Sequence, residues 1–140
     1  MKYKDINIGE LIKIRVEELQ IETSRICNFL NCTSKELDNF YKSKNINVDI
    51  LLKWCKLLEY DFFRIYSHHL ILYSPPSNNK TSQIKTQLPE FRKSLYTEEI
   101  IEFILEQITE EKMSAKQVIE KYKIPKTTLY KWMSKHNISK

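Results

Sequence analysis

Ser114-Ala-Lys-Gln-Val-Ile-Glu-Lys-Tyr-Lys-Ile-Pro-Lys-Thr-Thr-Leu-Tyr-Lys-Trp132 is the stretch that decides how this chain is read. Ser114 and Gln117 have the spacing of a capping box, in which each side chain satisfies a backbone N–H of the other's turn. Val118, Ile119, Tyr122 and Ile124 recur at helical spacing and then stop at Pro125. A proline at the start of the next helix costs nothing, because the N–H it lacks would have no helical partner. In that helix Leu129, Trp132 and Met133 share the face toward the preceding apolar set, with Trp132 read as core rather than as a stacking platform. Lys126, Thr127, Tyr130, Lys131 and Ser134 are left outward. Two short helices joined by a tight turn, the second rich in Lys and Thr, form the arrangement that sets a helix into the DNA major groove.

Charge is sharply divided around this run. Residues 98–111 carry six acids, Glu98, Glu99, Glu102, Glu106, Glu110 and Glu111, and no base. Residues 112–140 carry eight lysines and one acid, Glu120, a net of +7. The 140-residue chain as a whole has net charge +5 and a pI near 9.0, a balance that suits a polyanionic partner. Lysine outnumbers arginine 19 to 4, and there is one glycine and one alanine. That bias fits an AT-rich coding sequence and is not read as chemistry.

The length fits one average domain or two small ones, and 41% hydrophobic residues suffice for a core. No apolar run approaches the ~20 residues that span a bilayer, and the N-terminus lacks a signal-peptide stretch. The expected location is therefore cytoplasmic, with no membrane partner. Cys27, Cys32 and Cys55 are an odd set, which argues against a disulfide framework and for structural thiols. Cys27 and Cys32 miss Cys-x-x-Cys spacing and have no histidine nearby to complete a zinc set. The adjacent His68 and His69 point to different sides of a helix and make a poor metal clamp. No metal, cofactor or small-molecule substrate is expected.

Helical periodicity runs through almost the whole chain, so the expected fold is all-α: two small helix-turn-helix domains joined by a polar linker. Ile8, Leu11, Ile12, Val16 and Leu19 make the first stripe. Thr23 to Leu30 is a second helix, with Ile26, Cys27 and Leu30 inward. Ser34 to Lys42 is a third, with Leu37, Phe40 and Tyr41. Asn47 caps a fourth, whose shared face is Val48, Leu51, Leu52, Cys55 and Leu58. Asp61 caps a fifth, from Phe62 to about Leu72, although its tail His-His-Leu-Ile-Leu-Tyr also suits a short strand. Residues 74–96 are polar, proline-bearing and without period, and read as a linker. Its bases Lys80, Lys85, Arg92 and Lys93 against Glu90 leave both a solvated tether and a phosphate contact open. Thr97 then caps a helix striped by Ile100, Ile101, Ile104, Leu105 and Ile108, with Glu98 and Glu99 favourably placed in its first turn.

Residues 8–66, within a first module of 1–73, resemble the Cro and phage-repressor helix-turn-helix domain of the Xre-like family. The carriers are the small Cys27 on helix two, Asn31 at the turn position that needs positive φ, the following Cys32, and Leu37 on helix three. Leu51-Leu-Lys-Trp-Cys-Lys-Leu-Leu-Glu-Tyr-Asp-Phe-Phe63 is similar to the family's fourth helix and exit. The resemblance implies that Thr33, Ser34, Lys35 and Asn39 read base edges, with Thr23 near a phosphate. Glu36 and Asp38 depart from that use, and the module's 11 bases and 10 acids net only +1. DNA contact and homodimerisation or partner docking both remain open for it.

The second module, 97–140, resembles the helix-turn-helix of small transposase proteins of the insertion-sequence OrfA type. Ile124-Pro-Lys-Thr-Thr-Leu-Tyr-Lys-Trp132 follows that recognition-helix pattern, with Lys123 standing where the pattern has a turn glycine. The resemblance implies double-stranded DNA as partner. Lys126, Thr127, Thr128, Tyr130, Lys131, Ser134 and Lys135 are the candidate contacts. Lysine donates to guanine O6 and N7, threonine touches a thymine methyl, and tyrosine bonds phosphate.

No catalytic constellation accompanies these modules. The common transposase chemistry needs three carboxylates on a ribonuclease-H-like α/β domain to hold two metals, and no strands build one. Four scattered arginines do not make a recombinase cluster, and Gly9 by itself cannot form a phosphate loop. The expected function is sequence-specific binding to duplex DNA without catalysis, in transposition or transcription regulation. The alternative is an adaptor that docks a separate transposase subunit through helical surfaces such as Leu70-Ile-Leu-Tyr73. RNA binding lacks the aromatic sheet motifs and glycines its common modules use.

Overall fold

The computed structural model of the protein describes residues 3–74, 87–89 and 96–138. Among these residues the chain is all helical, with eight helices and no strand. They are α1 Ile8–Leu19, α2 Thr23–Leu30, α3 Ser34–Lys42, α4 Val48–Leu58, α5 Phe63–Tyr73, α6 Glu98–Thr109, α7 Ala115–Tyr122 and α8 Lys126–Lys135. The tail of α5, open to helix or strand by sequence, is helix. Most of the expected linker, with Lys80, Lys85, Glu90, Arg92 and Lys93, lies outside the described residues. None of the helices is long and apolar enough to cross a membrane among the described residues.

The chain divides into two compact units, Met1–Ser67 and His68–Lys140, and the division falls inside α5. In the first unit the helix boundaries follow local chemistry. Asn7 Oδ1 accepts from Glu10 N–H at 3.5 Å and Asn47 Oδ1 from Asp49 N–H at 2.8 Å. Thr33 and Glu36 form a full capping box at the start of α3. Chain reversals after α1, α2 and α4 use left-handed residues Gln20, Asn31 and Glu59, with φ of 52°, 54° and 48°. None of the three is glycine, so each carries a modest steric cost, least for Asn31.

The first unit's core gathers Ile8 and Ile12 of α1, Ile26 of α2, Leu37 of α3, and Leu51, Trp54 and Leu58 of α4. Phe62 and Ile65 close it. Trp54 is fully buried, with its ring 6.4 Å from Phe40 and 6.3 Å from Tyr41. Each such side chain contributes about 1.5–3 kcal/mol by leaving water. The inward face of α4 is therefore Leu51, Trp54, Leu57 and Leu58: Leu51 and Leu58 are buried as expected, while Trp54 and Leu57 take the places expected for Val48, Leu52 and Cys55. Val48 is 65% and Leu52 45% exposed. Both sets satisfy helical spacing, and the frame containing Trp54 buries more apolar area.

In the second unit Ile100, Ile104 and Leu105 of α6 pack with Val118 and Tyr122 of α7, Ile124, and Leu129 and Met133 of α8. His68 and Leu72 of α5 are also buried there. Thr97 occupies the N-cap position of α6, yet its hydroxyl makes no capping bond. It lies 3.4 Å from His68 Nε2 instead. Ser114 and Gln117 complete the expected capping box of α7, with Ser114 N–H donating to Gln117 Oε1 at 2.8 Å. Pro125 is the N-cap of α8, one position before its expected place inside the helix.

Candidate nucleic-acid interface

α7 and α8 are separated by Lys123–Pro125, and Lys123 forms the turn without glycine. Its backbone is left-handed, φ 55° and ψ 36°. For a residue with a Cβ that conformation costs roughly 1 kcal/mol, which packing of the flanking Tyr122 and Ile124 offsets. Lys123→Gly is accordingly expected to raise unfolding stability by up to about 1 kcal/mol, seen as a higher urea midpoint with unchanged slope. A fall in the midpoint would mean that the left-handed turn is not strained.

α8 separates its faces cleanly. Leu129 and Met133 are buried, while Lys126, Thr127, Lys131, Ser134 and Lys135 are exposed. Thr127, Lys131 and Ser134 recur at i, i+4 and i+7 and form one outward ridge. Half-buried Tyr130 flanks it on the side of Lys126, whose Nζ lies 5.6 Å from the tyrosine ring centroid. Half-buried Thr128 flanks it on the side of Lys135. All seven residues proposed from sequence on this helix therefore belong to its solvent-facing surface or its margins. α8 contains no acid, and no lysine on it has an ion-pair partner among the described residues. Lys112, paired with Glu110, lies outside the helix.

Trp132 departs from the core assignment. It is only half-buried, and its indole meets the Tyr96 ring edge to face at 4.9 Å and 73°. It lines a groove of about 600 Å³ between α6 and α8, together with Ile101, Thr128, Lys131, Lys135 and His136. The opposing α6 contributes Glu98. At helical spacing from Leu129, Trp132 sits about 60° off the buried direction, so its edge reaches solvent. Sequence reasoning missed His136 and Tyr96, for which no periodic signal exists.

The corresponding surface of α3 differs in charge and in occupancy. Thr33, Ser34, Lys35 and Asn39 are all exposed, and Lys35, Asn39 and Lys42 make an equivalent outward ridge. However, Thr33 Oγ1 donates to Glu36 Oε2 at 2.9 Å and accepts from Glu36 N–H at 3.3 Å. Thr33 N–H donates to the same carboxylate oxygen at 2.7 Å. The hydroxyl proposed to read a base is thus committed to the helix cap. These two bonds from Thr33 hold the Glu36 carboxyl below its ordinary pKa, keeping it ionised where a phosphate would approach. Asp38 is exposed on the other flank. The ridge of α3 is bracketed by two carboxylates of its own helix, whereas α8 carries none and meets Glu98 of α6 across the groove that Lys131 and Lys135 line.

Comparison with protein-family models, curated proteins and solved structures finds no match to this chain. No group of three or more metal-ligating side chains occurs among the described residues.

Proposed function

We propose that the protein is a non-catalytic, sequence-specific binder of double-stranded DNA that reads its site through α8. The observation that carries this reading is the ridge Thr127–Lys131–Ser134 with its flanking lysines, on a helix without a carboxylate. A solvated helix face ordinarily mixes both signs of charge, because opposite charges one turn apart stabilise a helix. α1 does so, with Lys13–Glu17 and Arg15–Glu18 pairs. α8 forgoes that stabilisation, and a phosphate backbone supplies the missing counter-charge. Its Thr and Lys side chains have the donors and methyl groups that distinguish bases in the major groove. A role in a mobile element or in transcription regulation follows from the same activity.

Selection from random duplexes with the full chain tests the reading. A recovered motif that is lost on substituting Thr127 and Lys131 supports it. Recovery of no motif at low salt overturns it. A protein-docking role is the second reading, and exposed Val48 and Leu52, one turn apart on α4, favour it. The Leu70–Tyr73 surface supports docking less than its sequence implied, since Leu72 is buried and only Leu70 is well exposed. Docking through α4 predicts partner capture that survives high salt and is lost in Val48→Ser/Leu52→Ser.

A further inference from the structure

Cys27 and Cys32, separated as unrelated thiols by their sequence spacing, are brought together by the α2–α3 turn. α2 ends at left-handed Asn31, and the N–H groups of both Asn31 and Cys32 point to the Cys27 carbonyl. The Cys32 bond, at 3.0 Å, spans five residues. That is the Schellman closure, in which the side chain three residues before the last helical residue meets the one just past the left-handed residue. Usually that contact is apolar; here both members are cysteine. A disulfide requires Cα atoms about 4.4–6.8 Å apart, and a backbone bond between the two residues holds them at a separation of that order. Both side chains are half-exposed, so a small oxidant reaches them.

We propose that Cys27 and Cys32 are an oxidation site that closes to an internal disulfide across the α2–α3 turn on reaction with a low-molecular-weight disulfide. One cysteine thiolate attacks the small disulfide, forming a mixed disulfide and releasing one small thiolate. The second cysteine thiolate then attacks the protein sulfur of that mixed disulfide and expels the second small thiolate. The two cysteines lose two protons and two electrons, and the small disulfide is reduced to two thiols. The product ties the last turn of α2 to the residue preceding Thr33, the N-cap of α3. Burial, the neighbouring Cys27 and the Glu36 carboxylate hold the Cys32 thiol above its ordinary pKa. The pair is therefore slow to react, and its oxidation is read at equilibrium.

The full chain separates this site from the third cysteine by digestion. Trypsin cleaves after Arg25 and Lys35, placing Cys27 and Cys32 on one peptide, 26–35, and Cys55 on another. After equilibration with oxidised glutathione, alkylation and digestion, the 26–35 peptide is expected unalkylated and lighter by two hydrogens. Cys55 is expected alkylated or carrying a single glutathione. In concentrated urea, ring closure from the mixed disulfide is expected to slow on the order of tenfold, because the turn no longer positions the thiols. Persistent glutathione on Cys27 or Cys32 in the folded chain, a cross-link to Cys55, or equal closure rates with and without urea would each overturn the proposal.

Discussion

Gly9→Ala is expected to destabilise the first unit by about 2–4 kcal/mol, against the usual gain of alanine in a helix. Gly9 is the chain's sole glycine and lies in the first turn of α1, fully inside a helix. Its N–H donates to the Ser43 carbonyl at 3.1 Å, which draws α1 onto the end of α3. A Cβ built there falls within 3 Å of the carbonyl oxygens of Phe40, Tyr41 and Ser43. All three are backbone atoms, so no side-chain rotation relieves the clash, and the two helices must separate. Separation loosens Ile8 and Ile12 against Leu37, all three of them buried. Overpacking of this kind costs about 1–3 kcal/mol and more where backbone must move, while alanine returns up to about 1 kcal/mol of helix propensity. Urea unfolding followed by the fluorescence of fully buried Trp54 measures the difference. An alanine variant as stable as the parent would show that α1 and α3 can part without cost.

Lys126→Ala/Lys131→Ala is expected to weaken duplex binding about 10–100-fold at moderate salt and to reduce the salt slope by about two. Each lysine that neutralises a phosphate releases roughly one counterion, so slope counts contacts where affinity does not. Neither side chain contributes to the core, so stability is expected to stay within about 0.5 kcal/mol of the parent. Lys35→Ala on α3 provides the internal comparison. Its ridge is bracketed by Glu36 and Asp38, and its loss is expected to change slope by well under one unit. Equal slopes for the double variant and the parent would remove DNA contact from α8. A larger effect at Lys35 than at Lys131 would move the reading head to the first unit.

Most helix starts were legible because they are local. Asn47, Asp61 and Ser114 carry oxygens that reach backbone donors within their own turn, whatever the rest of the chain does, as Asn7 and Thr33, not singled out as caps by sequence, also do. Thr97 shows the limit of that logic. Its residue type and position suit a cap, but the buried His68 is a competing partner distant in sequence. The face of α4 shows another limit. Leu51 and Leu58 belong to the expected face, but spacing equally admits Val48, Leu52 and Cys55 or Trp54 and Leu57 beside them, and packing against Phe40 and Tyr41 selects Trp54. On α3 the exposure of Thr33 was anticipated, but not that Glu36 engages both its hydroxyl and its N–H.

By itself, the sequence determined the predominantly helical class, most helix starts and the uneven charge of the 98–140 segment. These depend on periodicity, caps and composition, whose interactions span one or two turns. Tertiary structure decided which face of α4 is buried, that Trp132 borders a groove that Glu98 and Lys131 also line, and that Lys123 takes the left-handed turn without glycine. It also joined Cys27 and Cys32 by a backbone hydrogen bond across the α2–α3 turn. Each of these depends on where the backbone places groups relative to one another, through left-handed residues and packed faces that spacing leaves undetermined.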